Sequence, residues 1–229
     1  MATRPAKCCK ACDYSLRASL LLAVCPARAE SPGSVSHRSA AQSRFSDHWF
    51  RMPLIRSSRN GDLPAITAIY AHHVLHSSGT FETEPPALDA MTVRRADVLS
   101  KGLPYLVVEQ GNEIAGFAYG TWFKPRPAYR FSVEDSIYLA PGAHRRGLGR
   151  ALLAELLARC EAVGIRKVMA VIGDSANAGS VGVHLALGFT QVGIIAGCGW
   201  KFGAWRDIVI MQKTLDAGST APPADLPAP

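Results

Sequence analysis

A chain of 229 residues, 48% of them hydrophobic, has material for one domain with tails or two small domains. Its longest apolar run, Leu20 to Val24, is far too short to span a bilayer, so no membrane partner is expected. The formal charge of +7 sits mainly at the front: residues 1–51 carry eight Lys/Arg against Asp13, Glu30 and Asp47, a net +5 that leaves only +2 for the rest, too little for the basic footprint of a nucleic-acid binder.

Residues 1–51 are rich in Arg, Ser, Ala and Cys and lack a sustained helical or strand period. Leu20-Leu21-Leu22-Ala23-Val24 after Arg17 imitates a short signal peptide with a poor apolar core. Cys9-x-x-Cys12 has no second pair at finger spacing, so neither a metal site nor a disulfide framework is expected. The segment reads as a disordered basic leader, or as upstream sequence translated ahead of Met52. The expected division is therefore leader 1–51, domain 52–216 and a Pro/Ala-rich disordered tail 217–229.

Pro53-Leu54-Ile55-Arg56 opens a first strand. Asp62 can cap a helix whose first turn takes Pro64 without loss, with Ile66, Ile69, Tyr70, His73 and Val74 on its buried stripe. His72 and His76 have a spacing that can bind metal, but without a carboxylate or thiolate partner they read as a solvated face. Leu88 to Leu99 is a second helix. Tyr105 to Glu109, Gly111-Asn112 and Ile114 to Tyr119 form a hairpin, and Trp122 to Tyr129 is a loop broken by Pro125 and Pro127. The apolar strand Ser136-Ile137-Tyr138-Leu139 then runs into a turn, Pro141 to Arg150, and a helix with Leu148, Leu152, Leu153, Leu156, Leu157 and Cys160 on its core face. Gly164 ends that helix. Lys167 to Ile172 is a buried strand, a helix follows Asn177, and Gln191 to Ala196 and Ile208 to Leu215 are the last strands. The pattern is α/β with a mixed, twisted sheet flanked by helices.

The turn His144-Arg145-Arg146-Gly147-Leu148-Gly149-Arg150 is suited to an anion. Glycines let backbone approach a ligand closely, first-turn N–H groups of a helix have no internal partners, and arginines add charge. A Walker loop would need Gly-Lys-Ser or Gly-Lys-Thr, which does not occur, and a dinucleotide fingerprint would need glycine at Leu152. With its glycines, helix N-terminus and three arginines, the turn looks like a seat for a pyrophosphate.

This turn resembles motif A of the GNAT acetyltransferases, whose Gln/Arg-x-x-Gly-x-Gly/Ala binds the pyrophosphate of acetyl-coenzyme A. Gly147 and Gly149 match, and His144 stands at the first position. Asn177-x-x-Ser180-x-x-x-His184-x-x-x-Gly188-Phe189 is similar to the family's asparagine helix. Phe81-Glu82-Thr83-Glu84-Pro85, Ser132 to Ser136 and Gly199 to Asp207 are similar to the branch of phosphinothricin and methionine-sulfoximine acetyltransferases. The resemblance covers Pro53 to Leu215 and implies the GNAT fold with acetyl-CoA as co-substrate.

It also implies the site. Arg145, Arg146, Gly147, Leu148, Gly149 and Arg150 would hold the pyrophosphate, and Asn177 and Ser180 the pantetheine amides. Main-chain groups of Ile137, Tyr138 and Leu139 would meet pantetheine and the acetyl carbonyl. Glu134, just ahead of the apolar strand, is the candidate base, because partial desolvation raises a carboxyl pKa. His184 is the candidate acid for the departing thiolate, with a packed core histidine as the competing reading. Phe81, Glu82, Trp122, Phe123, Lys124, Asp135 and Ser136 would face the substrate, and Trp200 to Gly203 would shape the site or a dimer contact. The expected partners are a small-molecule amine and a second copy, in the cytoplasm. The acceptor stays open: an amino acid or analogue, another amine such as an antibiotic or a protein N-terminus, or none in a non-catalytic binding module.

Overall fold

The computed structural model describes residues 53–215. The leader and tail readings, with Cys9, Cys12 and Met52, fall outside the described residues. In chain order the elements are β1 (Leu54–Ser57), α1 (Leu63–His76), α2 (Leu88–Ser100), β2 (Tyr105–Gln110), β3 (Glu113–Trp122), β4 (Ser132–Leu139), α3 (Leu148–Ala162), β5 (Lys167–Gly173), α4 (Ala178–Ala186), β6 (Thr190–Lys201) and β7 (Ala204–Thr214).

The strands form one seven-stranded sheet in the order β1-β2-β3-β4-β5-β7-β6. Every neighbouring pair is antiparallel except β4 and β5, which the crossover through α3 makes parallel. Successive side chains of a strand point to opposite faces, so Tyr138 and Leu139 face opposite layers. Tyr138 meets α1 through Tyr70, with ring centroids 5.0 Å apart, and stacks on Phe117 of β3 at 5.2 Å. On the other face, the leucine stripe of α3 closes a core that includes Leu152, Leu153, Leu156, Val133 and Val168, all fully buried.

Three expectations change. Asp62 stands at the N-cap position of α1 but makes no side-chain cap. A short 3-10 turn, Asn60–Asp62, already supplies the first turn, and the Asp62 carboxylate turns back to accept from the Arg56 guanidinium at 2.7 and 2.8 Å and from the Arg59 N–H at 2.6 Å. The β6–β7 hairpin is longer than its apolar pattern suggests, because Gly199, Trp200 and Lys201 pair with Arg206, Trp205 and Ala204. Trp122 closes β3 instead of opening the loop, since Trp122 pairs with Val133.

Candidate active site

The parallel ladder between β4 and β5 runs only from Ser132 opposite Lys167 to Asp135 opposite Ala170. Both strands continue, β4 to Leu139 and β5 to Gly173, without pairing. The sheet therefore splits, and a cavity of about 760 Å³ opens along the gap. Its walls are Ser136 to Leu139 on one side, Val171 to Gly173 and the start of α4 on the other.

The split exposes specific main-chain groups. The Ala140 N–H donates to the Ala115 carbonyl of β3, while the Leu139 carbonyl accepts from Nε2 of His73 at 2.9 Å, away from β3. In an extended strand the N–H and C=O of one residue point the same way and alternate along the chain. The N–H groups of Leu139 and Ile137 are thus turned toward the gap. A carbonyl only accepts, so the His73 hydrogen sits on Nε2; burial first of all, with neighbouring positive groups, lowers its pKa despite the Leu139 bond and keeps it neutral.

At one end of the gap lies the turn into α3. Gly147 is its N-cap at φ 77°, and Arg145 is also left-handed at φ 59°, a conformation that costs a non-glycine residue energy and is held here by the surrounding turn. His144, Arg145, Gly147, Gly149 and Arg150 line the cavity. Leu148 faces the core at 3% exposure, so only its N–H is available, and the exposed Arg146 does not line the cavity. Across the gap, Asn177 caps α4 by accepting the Ser180 N–H at 3.2 Å, which leaves its amide NH₂ to offer; Ser180 lines the same wall.

At the other end stands Glu134, the third residue of β4 and so within the strand, not ahead of it. Burial first, then the charge of Asp135, raises its carboxyl pKa against a weaker pull from Lys124. Ser136, two residues on and on the same face, neighbours the Tyr119 hydroxyl, whose pKa burial raises against a smaller lowering from Ser136. Phe81 completes this wall, lodged where Gly173 and Gly199 lack side chains. The loop carrying Phe81 is tied down by Lys201, whose buried ammonium donates to the carbonyls of Ser77 at 2.8 Å and Thr80 at 2.7 Å.

Four expected substrate contacts lie elsewhere. Glu82 is taken up by Arg94 at 2.6 Å and the Tyr70 hydroxyl at 2.9 Å. Trp122 carries the Lys101 ammonium over its ring, and Phe123 packs on Tyr129; neither lines the cavity, nor does Lys124, which reaches the site only through its charge on Glu134. Asp135 points to the opposite face from Glu134 and bonds His184 at 3.0 Å. His184 is 4% exposed and has both ring nitrogens engaged, so delivering a proton requires one bond to yield. Tyr70, His73, Thr80 and Tyr119 also line the cavity. Tyr70 and His73 were legible only as a buried helical stripe. His72 and His76 lie with ring centroids 4.8 Å apart, and among the described residues no group of three or more His, Cys, Asp or Glu could hold a metal ion. No helix among the described residues is long and apolar enough to cross a membrane.

A split parallel pair with an anion-seating turn at one end and a buried carboxyl at the other defines a cleft for an extended, phosphate-bearing donor. Residues 67–189 match the Acetyltransferase (GNAT) family. The chain is 51% identical over 169 residues to phosphinothricin N-acetyltransferase of Alcaligenes faecalis, covering 74% of this chain and 86% of that one. It is 36% identical to L-methionine sulfoximine/L-methionine sulfone acetyltransferase of Pseudomonas aeruginosa, covering 73% and 98%. Among solved structures, a GNAT superfamily phosphinothricin acetyltransferase from Sinorhizobium meliloti in complex with AcCoA aligns with TM-score 0.73 and 40% identity, over 76% of this chain and 94% of that one. The chain belongs to the GNAT family and is an acetyl-CoA-dependent N-acetyltransferase.

Proposed function

We propose that the cleft moves the acetyl group of acetyl-CoA to the α-amine of a small amino acid or analogue of the methionine sulfoximine, methionine sulfone or phosphinothricin type. The observation that carries this reading is the unpaired edge of β4, which runs unbroken from the Arg145–Arg150 turn to the neighbourhood of Glu134. With the pyrophosphate on that turn, the pantetheine lies back along Leu139 and Ile137, facing Asn177 and Ser180, and the thioester reaches the point where the strands rejoin. The Glu134 side, walled by Phe81, Ser136 and Tyr119, then receives the amine.

Glu134 takes a proton from the ammonium, directly or through water. The amine attacks the thioester carbon, and a strand N–H at Ile137 or Leu139 stabilises the charge growing on the carbonyl oxygen. The C–S bond breaks, its electron pair stays on sulfur, the thiolate is protonated, and the nitrogen, now bonded to the acetyl carbon, releases its second proton to solvent to leave the neutral amide. The relatives' names support an amino-acid analogue as acceptor. Acetyl-CoA as donor also favours a cytoplasmic enzyme.

A second copy would cover the β6–β7 hairpin, where Trp200, Phe202 and Trp205 are 58%, 52% and 65% exposed beside Ile194 and Ile195. So much exposed aromatic and aliphatic surface on one hairpin favours a homodimer. The reading is tested by coenzyme A release across a panel of amines. Release with methionine sulfoximine or phosphinothricin exceeding that with aminoglycosides and peptides supports it; preference for the latter transfers the acceptor to another class, and tight acetyl-CoA binding with no release returns a binding module.

A further inference from the structure

Where the strands part, a buried ionisable pair closes the apex of the cleft. Asp135 is the last β4 residue paired to β5. Its Oδ2 lies 3.0 Å from Nε2 of His184, and Nδ1 of the same ring lies 2.7 Å from the Ser180 carbonyl. The two side chains are 2% and 5% exposed. Because a carbonyl cannot donate, Nδ1 keeps its hydrogen in every protonation state. Only the Nε2 proton can move. Oδ1 of Asp135 is buried without a hydrogen-bond partner among the described residues, so the bond to His184 is the stabilising contact of this carboxylate.

We propose that Asp135 is a positioning residue for the acetyl transfer, holding His184 doubly protonated with its Nε2 hydrogen at the apex, where the thiolate forms. The inference rests on the acetyl-transfer reading above. As the C–S bond breaks and its electron pair passes to sulfur, the Nε2 bond to Asp135 yields and Nε2 gives its proton to sulfur. His184 is left neutral with hydrogen on Nδ1, Asp135 remains a carboxylate, and solvent returns the proton before the next turnover.

The surroundings agree with this assignment. Burial alone would favour the neutral ring, but the hydrogen bond and charge of Asp135, with the Ser180 carbonyl, outweigh it and raise the His184 pKa. Glu134, next to Asp135 on β4, lies on the opposite face of the strand and feels the pair only through the Asp135 charge, while Cys160 of α3 has its thiol pushed up to about 12 by burial and then by Asp135, and so stays neutral. Phe189 covers the ring edge to face at 4.9 Å. The bond also fastens α4, which carries Asn177 and Ser180, to the strand across the gap.

Nitrogen-15 spectra of the histidine-labelled full chain, assigned with H184Q, read the ring directly. At pH 7 the wild-type His184 should carry hydrogen on both nitrogens. In D135N the ring should be neutral at Nε2, with a lowered pKa. With acetyl-CoA and one good amine, the alkaline fall of kcat in D135N should move to lower pH by the same amount, while the KM for acetyl-CoA changes less than about threefold. D135N should add nothing further to H184Q, since the two act as one unit. A singly protonated wild-type ring at pH 7 overturns the proposal without any variant. So does a D135N ring that titrates as in the wild type, or a kcat profile that stays put while the ring's titration moves. The spectra need no turnover, so failure of the acetyl-transfer reading would appear separately, as absence of coenzyme A release.

Discussion

The ring of Phe81 occupies the space that a side chain on Gly199 would enter: a Cβ there would come within 2.1 Å of Cε1 and 2.3 Å of Cδ1. The same ring would meet a Cβ on Gly173 at 3.3 Å, and that Cβ would strike the Ser78 carbonyl oxygen at 2.0 Å. Two strands that are not neighbours in the sheet, β5 and β6, thus leave room for one ring from the α1–α2 loop. The Glu134 end of the cleft takes its shape from that lodging.

Gly199→Ala should therefore displace Phe81 and lower kcat/KM for the amine roughly ten- to a hundredfold, the scale of a small misplacement of a positioned substrate. Acetyl-CoA affinity by calorimetry should be unchanged. Equal losses for both substrates would mean that the ring serves general stability.

Glu134→Gln should reduce kcat by about 10²–10⁴-fold with little effect on acetyl-CoA affinity, the range for a positioned base. Burial raises the wild-type pKa, so activity should climb with pH through that value, and the climb should vanish in the Gln enzyme apart from the titration of the amine itself. A near-wild-type rate with the same profile would make Glu134 a wall residue. The sign for stability is opposite. A carboxyl whose folded pKa is raised weakens the fold as pH rises from its unfolded to its folded value, so the variant should melt higher than wild type above that window and about equally below it.

Gly147 has open space where a Cβ would stand but sits at φ 77°, so the cost of replacing it is conformational. Gly147→Val should lower stability by about 1–3 kcal/mol and weaken acetyl-CoA binding at least tenfold, because straightening that residue turns the first N–H groups of α3 away from the phosphates. Calorimetry on folded protein checks it. Unchanged affinity would remove the turn from the cofactor site.

Arg56, Asp62 and Glu109 form a partly buried network that fastens β1 and the start of α1 to β2. The Arg56 hydrogen bond, with the Arg59 N–H, outweighs burial and lowers the Asp62 pKa. A depressed carboxylate adds stability above its unfolded pKa of about 3.9 and loses it as pH falls through the lower folded value. Asp62→Ala should cost about 2 kcal/mol at neutral pH in urea unfolding, with the difference shrinking in acid. A constant difference across that range would count against the ion pair as its source.

Much of the fold was legible in the chain because it is written in local periodicity. The apolar runs Tyr105 to Val108 and Ile114 to Tyr119 on either side of Gly111-Asn112, and the leucine spacing after Gly147, each specify an element without reference to distant residues. The turn from His144 to Arg150 was legible for the same reason, since glycine placement and helix-end chemistry are properties of a few neighbouring residues. Ends of elements were less so: β6 and β7 extend through Trp200 and Trp205 because cross-strand pairing, not their own apolar pattern, holds them extended.

Partnership between distant side chains was decided only by the tertiary structure. Glu82 and Lys124 were sensible substrate contacts by residue type, yet Arg94 claims the first and the second reaches the site only by charge. Asp135 and Glu134 are adjacent and chemically alike, but strand alternation sends one to His184, 49 residues away, and the other to the opposite face. β4 and β5 cease to pair beyond Asp135 and Ala170 while both stay extended, a boundary that neither strand's own apolar run marks. Residue order alone determined which groups could do chemistry; three-dimensional pairing decided which were left free to do it.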